Sequence, residues 1–318
     1  MTDRDRLAGT SAAGLLSLRD LDAEALAGLV QRSVDFRRDP FPADRPLTDR
    51  AIGLFFTATS TRTRTAFTVA AIRLGATPLA YGPSDLQIGT GESIADTGRI
   101  LGLMLDALVV RTAGPLADMR ELARTSGMPL INAMATEEHP TQAVCDIATL
   151  AHHFGSLSGL SFLYIGEGNN TATALARGLA LVPDVRVTFA TPPGYGLPAP
   201  LLAEALEVAR QRGTRMDEAH DMHRLPDQVD VVYTTRWQTT GTEKADPSWR
   251  ETFRPFYVDE TLMSRYPQAV FMHDLPAHRG DEVAGAVLDG KRSIAWCQAE
   301  MKLASAMAVL ETTVADRS

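Results

Sequence analysis

The sequence lacks several features, and each absence excludes a class of protein. It contains two cysteines in 318 residues, Cys145 and Cys297, which are too few for a disulfide framework and make the cytoplasm the expected location. No apolar run approaches the roughly 20 residues that would cross a bilayer, so we expect no membrane partner. The N-terminal stretch mixes acidic residues with only a brief apolar run, which argues against a secretory signal.

Positive charge is also scarce. The net charge is −8, whereas a nucleic-acid partner would require a basic face, so we expect no nucleic-acid binding. Only Lys244, Lys291 and Lys302 are lysine, and 28 of the 31 basic residues are arginine. No lysine before residue 244 is therefore available for Schiff-base or phosphate chemistry. There is no repeat of fixed period and no low-complexity tract.

Short apolar strands alternate with amphipathic helices along the chain, which predicts an α/β fold. We expect two domains, each a mostly parallel sheet with helices on both faces, and an active site in the cleft between them. The first would span 1–150, with 298–318 packing back onto it, and the second 151–297. The predicted strands are 51–56, 106–112, 128–133, 160–166, 185–190, 229–234 and 268–273, and the predicted helices are 17–38, 65–75, 115–127, 139–155, 169–182, 198–213 and 297–314.

The stretch "FFTATSTRTRTAFTVAAIRLG" (55–75) places hydroxyls and guanidiniums between a predicted strand and a predicted helix. Ser60 or Thr61 would be the N-cap, where backbone N–H groups lack partners and the helix carries partial positive charge. Arg62 and Arg64 add the charge that a phosphate requires. The alternative is an ordinary capped helix with solvated arginines.

Three further stretches place polar groups at predicted strand or helix ends. Arg111 closes "ALVVR", although alone it could be a surface arginine. In "HPTQ", Pro140 pre-sets the first helical turn, and His139 and Gln142 are about one turn apart, which suits a small planar group such as a carbamoyl. Alone, His139 would be a core or cap histidine. The last stretch is "HDLPAHRGDEV" (273–283).

These four stretches together resemble the aspartate/ornithine carbamoyltransferase family, and the resemblance covers nearly the whole chain. It extends to "LQIGTGESIADTGRIL" (86–101), "YIGEGNN" (164–170) and "QAEMKL" (298–303), which are similar to the ornithine branch. The implied activity transfers the carbamoyl group of carbamoyl phosphate to a small amine and releases phosphate. It needs positioned donors and no nucleophilic side chain, metal or cofactor.

The resemblance also implies site residues and an assembly. The catalytic residues would be His139, Arg111, Thr63 and Arg279. Family members are trimers, so a homotrimer is expected, with Gln87 reaching the adjacent subunit's site. The implied carbamoyl-phosphate contacts are Ser60, Thr61, Arg62, Thr63, Arg111, His139, Gln142, Arg279 and Gln87, and the expected acceptor contacts are Asn169, Asn170, Thr235, Arg236, Gln238, Asp274 and Leu275.

The acceptor segment departs from the ornithine branch. There the strand continues into Asp-x-Trp-x-Ser-Met-Gly, whereas here it continues as "TRWQTTG", with Thr235 for the aspartate and Thr239-Thr240 for Ser-Met. A hydroxyl cannot pair an ammonium as a carboxylate does. "TRWQ" instead resembles the aspartate branch, where Arg236 and Gln238 would grip a carboxylate; a solvated Arg236 is the alternative. Asp274 replaces the cysteine of "HCLP" and could hold an ammonium, assist deprotonation, or simply cap the following turn.

These departures predict a short diamino acid as the acceptor, such as 2,3-diaminopropionate in specialised metabolism, giving a ureido amino acid. The first alternative is ornithine carbamoyltransferase of arginine synthesis. The second is a catalytically silent homologue that binds carbamoyl phosphate in a regulatory role. His220 and His223 have ligand-like spacing, but no third ligand is evident, so we predict a surface helix end and no metal site.

Overall fold

The structure is a computed structural model that describes residues 14–239 and 242–315. The chain divides into two compact units. The first runs through His152 and takes up the chain again from Glu300, and the second is His153–Ala299. Each unit contains one five-stranded sheet in which every pairing is parallel. The predicted α/β class, with two parallel sheets, is confirmed.

The sheet of the first unit has the order β1-β5-β4-β2-β3. Single 3₁₀ turns lie at Leu18–Asp20 and Gln87–Thr90. The strands are β1 (Gly14–Leu15), β2 (Ala51–Phe56), β3 (Thr77–Tyr81), β4 (Ala107–Arg111) and β5 (Leu130–Asn132), and the helices are α1 (Ala23–Arg38), α2 (Arg62–Leu74), α3 (Ile94–Gly102), α4 (Leu116–Ser126) and α5 (Pro140–Phe154).

The sheet of the second unit has the order β10-β9-β6-β7-β8. The strands are β6 (Ser161–Ile165), β7 (Arg186–Ala190), β8 (Arg215–Ala219), β9 (Val231–Thr234) and β10 (Val270–His273). The helices are α6 (Asn170–Ala180), α7 (Ala199–Gln211), α8 (Trp249–Phe253), α9 (Glu260–Arg265), α10 (Gly285–Leu288) and α11 (Ala295–Val314), and a 3₁₀ turn lies at Arg254–Phe256. Most of α11 belongs to the first unit.

The central strands are buried on both faces, which is why they read as continuous apolar runs in the sequence. In β2 the side chains of Ile52, Leu54 and Phe56 are all at most 1% exposed. Burial of each such side chain contributes about 1.5–3 kcal/mol to folding. This rigid sheet fixes where its strands end, and therefore where the polar residues that follow them lie.

Among the described residues, no helix combines the length and apolarity needed to span a bilayer.

One predicted helix start was wrong for a local reason. The predicted helix 17–38 is interrupted, because Ser17 caps a single 3₁₀ turn and Asp22 then caps α1 by accepting from the Ala25 N–H at 2.8 Å. Helix α2 begins at Arg62, directly after Thr61, which is one of the two predicted N-caps, so the arginines lie in its first turn. The predicted strand Ala51–Phe56 is confirmed.

Candidate active site

In the first unit, the loop before α2 lies beside the end of β4. Phe56, the last residue of β2, pairs in register with Arg111, the last residue of β4, and the Thr57 N–H donates to the Arg111 carbonyl at 3.0 Å. The carboxyl ends of parallel strands share one edge of the sheet, which is where α/β proteins bind ligands. The sheet therefore brings the Ser60–Arg64 segment and Arg111 to the same edge.

The N-terminus of α2 has the form expected of an anion site. Thr61 is the N-cap and makes no capping bond with its side chain, whereas the Ser60 Oγ accepts from the Arg64 N–H at 3.3 Å. Thr61 is exposed, Arg62 is half-buried and Thr63 is buried. The first N–H groups of this 13-residue helix have no intrahelical partner, so they can donate to an anion.

The two arginines of this turn have different surroundings. The Arg64 Nη2 donates to the Phe56 carbonyl at 3.3 Å, and the guanidinium lies over the Phe56 ring at 5.2 Å from its centroid. Arg64 therefore braces the start of α2 against the end of β2 instead of facing outward. That Arg62 and Arg64 both bind a phosphate stays a prediction.

Arg111 and His139 are in contact. The Arg111 Nη1 lies 3.3 Å from the Ala133 carbonyl, to which it donates, and 3.3 Å from the His139 Nε2. Because a guanidinium is only a donor, Nε2 must be the accepting nitrogen of His139, and the ring proton is on Nδ1. Nδ1 lies 3.4 Å from the Thr141 hydroxyl. The predicted pair is thus brought together, with His139 as the acceptor.

The pKa of His139 is well below its usual value, first because the ring is buried and then because of the positive charges of Lys302 and Arg111. The imidazole is therefore neutral near pH 7. A neutral imidazole can donate only from the nitrogen that carries the proton, so the guanidinium of Arg111 is the stronger donor for a developing oxyanion.

Gln142 belongs to a buried polar chain. Its Nε2 donates to the Asp146 Oδ1 at 2.7 Å, and its Oε1 accepts from the Nζ of Lys302 on α11. All three side chains are at most 7% exposed. Lys302, which is 160 residues from Gln142, was not predicted as a site residue. The only local signal was a lysine in an otherwise apolar helix in a chain with few lysines.

Two other residues predicted to bind carbamoyl phosphate have different partners. The guanidinium of Arg279 donates to both carboxylate oxygens of Asp289, at 3.0 and 2.7 Å. This pairing within the second unit raises the pKa of Arg279 and lowers that of Asp289. Gln87 is exposed, and its Oε1 accepts from the Thr90 hydroxyl at 2.6 Å.

In the second unit, three strand ends also share one edge. Ile165 of β6 and His273 of β10 both pair in register with Thr234 of β9. Asn169 caps α6, its Oδ1 accepting from the N–H groups of Thr171 and Ala172 at 3.0 and 3.1 Å, while Asn170 is the first, buried residue of that helix.

Asp274 faces α6. Its Oδ2 accepts from the Thr171 hydroxyl at 3.1 Å, and its side chain is 14% exposed. The hydrogen bond from Thr171 therefore holds the Asp274 carboxylate against α6. An Asp274 that capped the following turn would instead face the loop after β10. A carboxylate held at this edge can accept a proton or hold an ammonium.

Buried His273 lies between two carboxylates. The Leu275 N–H donates to the His273 Nδ1 at 2.8 Å, so the ring proton is on Nε2, which lies 3.2 Å from the Glu282 Oε1. Asp274 lies on the other side of the ring, with its Oδ1 3.5 Å from Nδ1. Leu275 has a left-handed backbone (φ 51°), which belongs to the turn that aims this N–H at the ring.

Arg236 and Gln238 line a cavity of about 310 Å³ in the second unit. The Gln238 Nε2 donates to the Thr242 carbonyl at 2.7 Å. Thr235 is buried and does not line this cavity, and neither does Asp274. The structure thus brings Arg236 and Gln238 together at one cavity, which Asp274 does not line. Thr240 lies outside the described residues.

His220 and His223 lie in a loop after β8, not at a helix end as predicted. The His220 Nδ1 is 3.0 Å from the Thr191 hydroxyl, which donates to Glu218. In the part of the chain that the structure describes, no three His, Cys, Asp or Glu side chains are grouped as a metal site would require.

Two family models together match nearly the whole chain. Residues 14–152 match the carbamoyl-P binding domain of aspartate/ornithine carbamoyltransferase, and residues 158–313 match its Asp/Orn binding domain. The chain belongs to the aspartate/ornithine carbamoyltransferase family. The resemblance found in the sequence is confirmed, and the protein is a carbamoyltransferase.

Several relatives of this carbamoyltransferase are known. It is 36% identical over 304 residues to the ornithine carbamoyltransferase of Gloeobacter violaceus, covering 95% of this chain and 96% of that one. It is also 36% identical to the catabolic ornithine carbamoyltransferase of Thermoplasma volcanium, covering 93% and 96%. The solved ornithine carbamoyltransferase from Pyrococcus furiosus superposes with a TM-score of 0.89 at 36% identity, covering 97% and 98%.

Proposed function

We propose that the protein transfers the carbamoyl group of carbamoyl phosphate to a primary amine of a diamino acid and releases phosphate. The observation that carries this proposal is the edge of the first sheet, where the N-terminus of α2 and Arg111 lie together in a unit that matches a carbamoyl-P binding domain. Ser60, Thr61, Arg62 and Thr63 would bind the phosphate through their N–H groups, hydroxyls and charge.

The remaining groups of the first unit would act on the carbamoyl end. Arg111 would donate to the carbonyl oxygen as negative charge develops there, and neutral His139 would orient Arg111 through the contact at Nε2. Gln142 would donate its remaining amide N–H to the carbamoyl group, and its bonds with Lys302 and Asp146 would hold the amide in place. The amine attacks the carbamoyl carbon, the C–O bond to phosphate breaks, and the leaving phosphate can take the amine's proton.

Ornithine is the acceptor that the comparisons support best. The relatives that match nearly the full chain at 35–38% identity are named ornithine carbamoyltransferases. This favours the first alternative from the sequence over the short diamino acid that the sequence predicted. A place in arginine synthesis is part of this proposal.

A shorter diamino acid, such as 2,3-diaminopropionate, is the second candidate. Two observations favour it: Thr235 is a buried hydroxyl where the ornithine branch has an aspartate, and Asp274 is a carboxylate at the same edge of the sheet. In either case we propose that Asp274, held by Thr171, receives an amine of the acceptor.

We also propose a homotrimer in the cytoplasm. The exposed end of α3 supports self-association, because Ile100, Leu103 and Met104 are 50%, 80% and 70% exposed and form an apolar surface on the first unit. Light scattering should give the mass of three chains, and Leu103→Glu should reduce it. A monomer of unchanged activity would exclude the proposed sharing of Gln87 between subunits.

The deciding experiment measures phosphate release and product mass with carbamoyl phosphate and a panel of amines. The panel contains ornithine, lysine, aspartate, putrescine, 2,4-diaminobutyrate and 2,3-diaminopropionate. Preference for ornithine would establish the first candidate, and preference for a shorter diamino acid the second. Binding of carbamoyl phosphate without turnover of any amine would contradict both and support a silent homologue.

A further inference from the structure

A buried carboxylate directly precedes His139. Glu138 is fully buried and ends the loop between β5 and α5. Its Oε2 accepts from the Ser17 hydroxyl at 2.5 Å, and its Oε1 accepts from the Leu18 N–H at 2.8 Å. These two donors lie 121 and 120 residues earlier in the chain. The carboxylate therefore ties the segment after β1 to the residue that precedes His139.

The backbone of Glu138 is fixed as well. Its carbonyl accepts from the Ala135 N–H at 3.0 Å and from the Asn132 Nδ2 at 3.3 Å. The same Asn132 amide donates to the Leu16 carbonyl at 2.9 Å. Both the main chain and the side chain of Glu138 are thus held against the segment after β1, which leaves little freedom for His139, the next residue.

We propose that Glu138 is a positioning residue for the transfer reaction, and that its bonds with Ser17 and Leu18 hold the Arg111–His139 pair in its reactive arrangement. The inference rests on the proposed function and extends it, because it adds the segment after β1 to the support of the site. The role is indirect, since Glu138 acts through the loop between β5 and α5.

This loop contacts both members of the pair. Near its start, the Ala133 carbonyl accepts from the Arg111 Nη1 at 3.3 Å. At its end, the His139 carbonyl accepts from the Gln142 N–H at 3.0 Å in the first turn of α5. The Arg111 Nη1 and the His139 Nε2 lie 3.3 Å apart, so a displaced loop changes the direction in which Arg111 donates. A misplacement of about 1 Å caused by a distant change can lower a rate by about 100-fold.

The loop also holds one residue in an unfavourable backbone conformation. Met134 has a φ of 143°, which residues with a side chain rarely adopt. Its N–H donates to the Asn132 Oδ1 at 3.0 Å, and its carbonyl accepts from the Thr112 N–H at 3.0 Å. Strained backbone persists only where the surrounding contacts over-determine it, and it clusters at active sites. The loop therefore has the rigidity that the positioning of reacting groups requires.

A carboxylate at position 138 is costly, which indicates that its directed bonds matter. An apolar side chain would be buried at lower cost, because an ionised carboxylate has to give up its water. The carboxylate provides two acceptor oxygens, and one segment supplies a donor for each. The preceding carboxylate, Glu137, is exposed and accepts from the Leu116 N–H at 2.8 Å. It offers a matched control one residue away.

The test compares variants that remove the tie in different ways. Glu138→Leu removes both acceptors, and Ser17→Ala removes one donor. Glu138→Gln can still accept from the Leu18 N–H and donate to the Ser17 hydroxyl, and Glu137→Gln is the control. Phosphate release gives kcat and both KM values, with ornithine as the acceptor, or 2,3-diaminopropionate if that is the amine turned over. Competition by inorganic phosphate reports on the phosphate subsite.

Glu138→Leu should lower kcat roughly 10- to 100-fold and Ser17→Ala roughly 3- to 10-fold, because the donor to the developing oxyanion is misplaced. The KM for the acceptor and the inhibition by inorganic phosphate should change much less, since those groups bind elsewhere. Glu138→Gln and Glu137→Gln should retain most of the wild-type kcat. The assays are run well below Tm, and circular dichroism gives the folded fraction. A merely structural role would lower Tm and leave kcat per folded molecule unchanged.

A second readout does not depend on turnover. The ring ¹⁵N NMR signals of His139, assigned by their absence in His139→Gln, report which nitrogen carries the proton. In wild type the proton should be on Nδ1, as the contact with Arg111 requires. Glu138→Leu should give a mixture of tautomers at pH 7, and Glu138→Gln should keep the wild-type signal. If Glu138→Leu does not fold, Ser17→Ala provides both readouts.

Two results would overturn the proposal. The first is an unchanged kcat and an unchanged His139 tautomer in both Glu138→Leu and Ser17→Ala. The second is an equal loss of kcat in Glu138→Leu and Glu138→Gln, because the charge rather than the two bonds would then be responsible.

The experiment also separates this proposal from the proposed function. If wild type turns over no amine but the His139 tautomer changes in Glu138→Leu, the proposed function fails and the positioning of His139 by Glu138 stands. If wild type turns over an amine and the variants match it in both readouts, the proposed function stands and the positioning role fails.

Discussion

The two units have the same architecture, but one buried polar network of the first differs in its hydrogen bonding from the polar atoms beside the cavity of the second. In the first unit, buried Gln142 is bonded to both Asp146 and Lys302, and Arg111 contacts His139. In the second, Trp237 and Glu282 carry buried polar atoms without partners among the described residues, beside a cavity of about 310 Å³. The buried Gln142–Asp146–Lys302 network is bonded, whereas the Trp237 Nε1 and the Glu282 Oε2 are not bonded within the described chain.

The difference follows from what each edge is proposed to bind. Phosphate carries two negative charges and can be bound by hydrogen-bond donors alone. A cluster of cations that neutral and acidic neighbours hold in place is therefore sufficient to bind it. The amino acid of the proposed function carries both charges, so its site requires a donor and an acceptor that do not bond each other.

The largest expected effect on stability comes from disrupting the Gln142–Asp146–Lys302 network. Lys302→Met should lower the free energy of unfolding by about 3 kcal/mol, because it leaves the buried Asp146 carboxylate without the cation of its network. Calorimetry should show a clear fall in Tm. Lys291→Met, at an exposed position, is the matched control, and an equal Tm for the two variants would contradict the network.

A smaller effect should separate the two arginines of the α2 turn. Arg62→Gln should raise the KM for carbamoyl phosphate by about 100-fold, because a charge-assisted contact with phosphate is lost. Arg64→Gln should leave that KM within a few-fold and instead lower Tm, since Arg64 donates to the Phe56 carbonyl. Initial rates at varied carbamoyl phosphate test both variants, and the opposite pattern would reverse the assignment.

A pH effect should follow from His139. Its pKa is depressed by burial and by the charges of Lys302 and Arg111, so the unfolded chain takes up a proton at higher pH than the folded one. The resulting stabilisation is complete above the ordinary value of about 6.5 and is lost as the pH falls from there through the folded pKa. Tm measured against pH should therefore fall more steeply below pH 6.5 for wild type than for His139→Gln. Parallel curves for the two proteins would mean that the pKa of His139 is not lowered in the folded state.

The local sequence was sufficient to predict the elements that lie at the ligand-binding edge of the first sheet. β2 and the helix that begins at Pro140 lie where they were predicted, because an apolar run and a proline at the first helical position act within a few residues. The edge strands Thr77–Tyr81 and Arg215–Ala219 were missed, since an exposed strand needs no apolar run. The short helices α8, α9 and α10 gave no periodic signal.

Long-range partners could not be predicted. Lys302 reaches Gln142 across 160 residues of chain, and Glu282 meets Trp237 at one cavity only because β9 and β10 are neighbours in the sheet. Neither of these contacts produces a periodic pattern in the sequence. The sequence did place Arg236 and Asp274 at strand ends, but only the fold shows that Arg236 lines the cavity and Asp274 faces Thr171.

The smallest expected effect is that of Trp237→Phe on stability, and it tests the difference between the two units most directly. Trp237→Phe removes a buried N–H that has no partner in the described chain, and it keeps the ring in the aromatic cluster with Phe253. No hydrogen bond is broken and a desolvated donor disappears, so the free energy of unfolding should change by less than about 0.5 kcal/mol or rise. Urea unfolding of the ligand-free protein measures it. A loss near that of Lys302→Met would show that the indole N–H is already satisfied within the protein, and the contrast between the two units would then fail at this position.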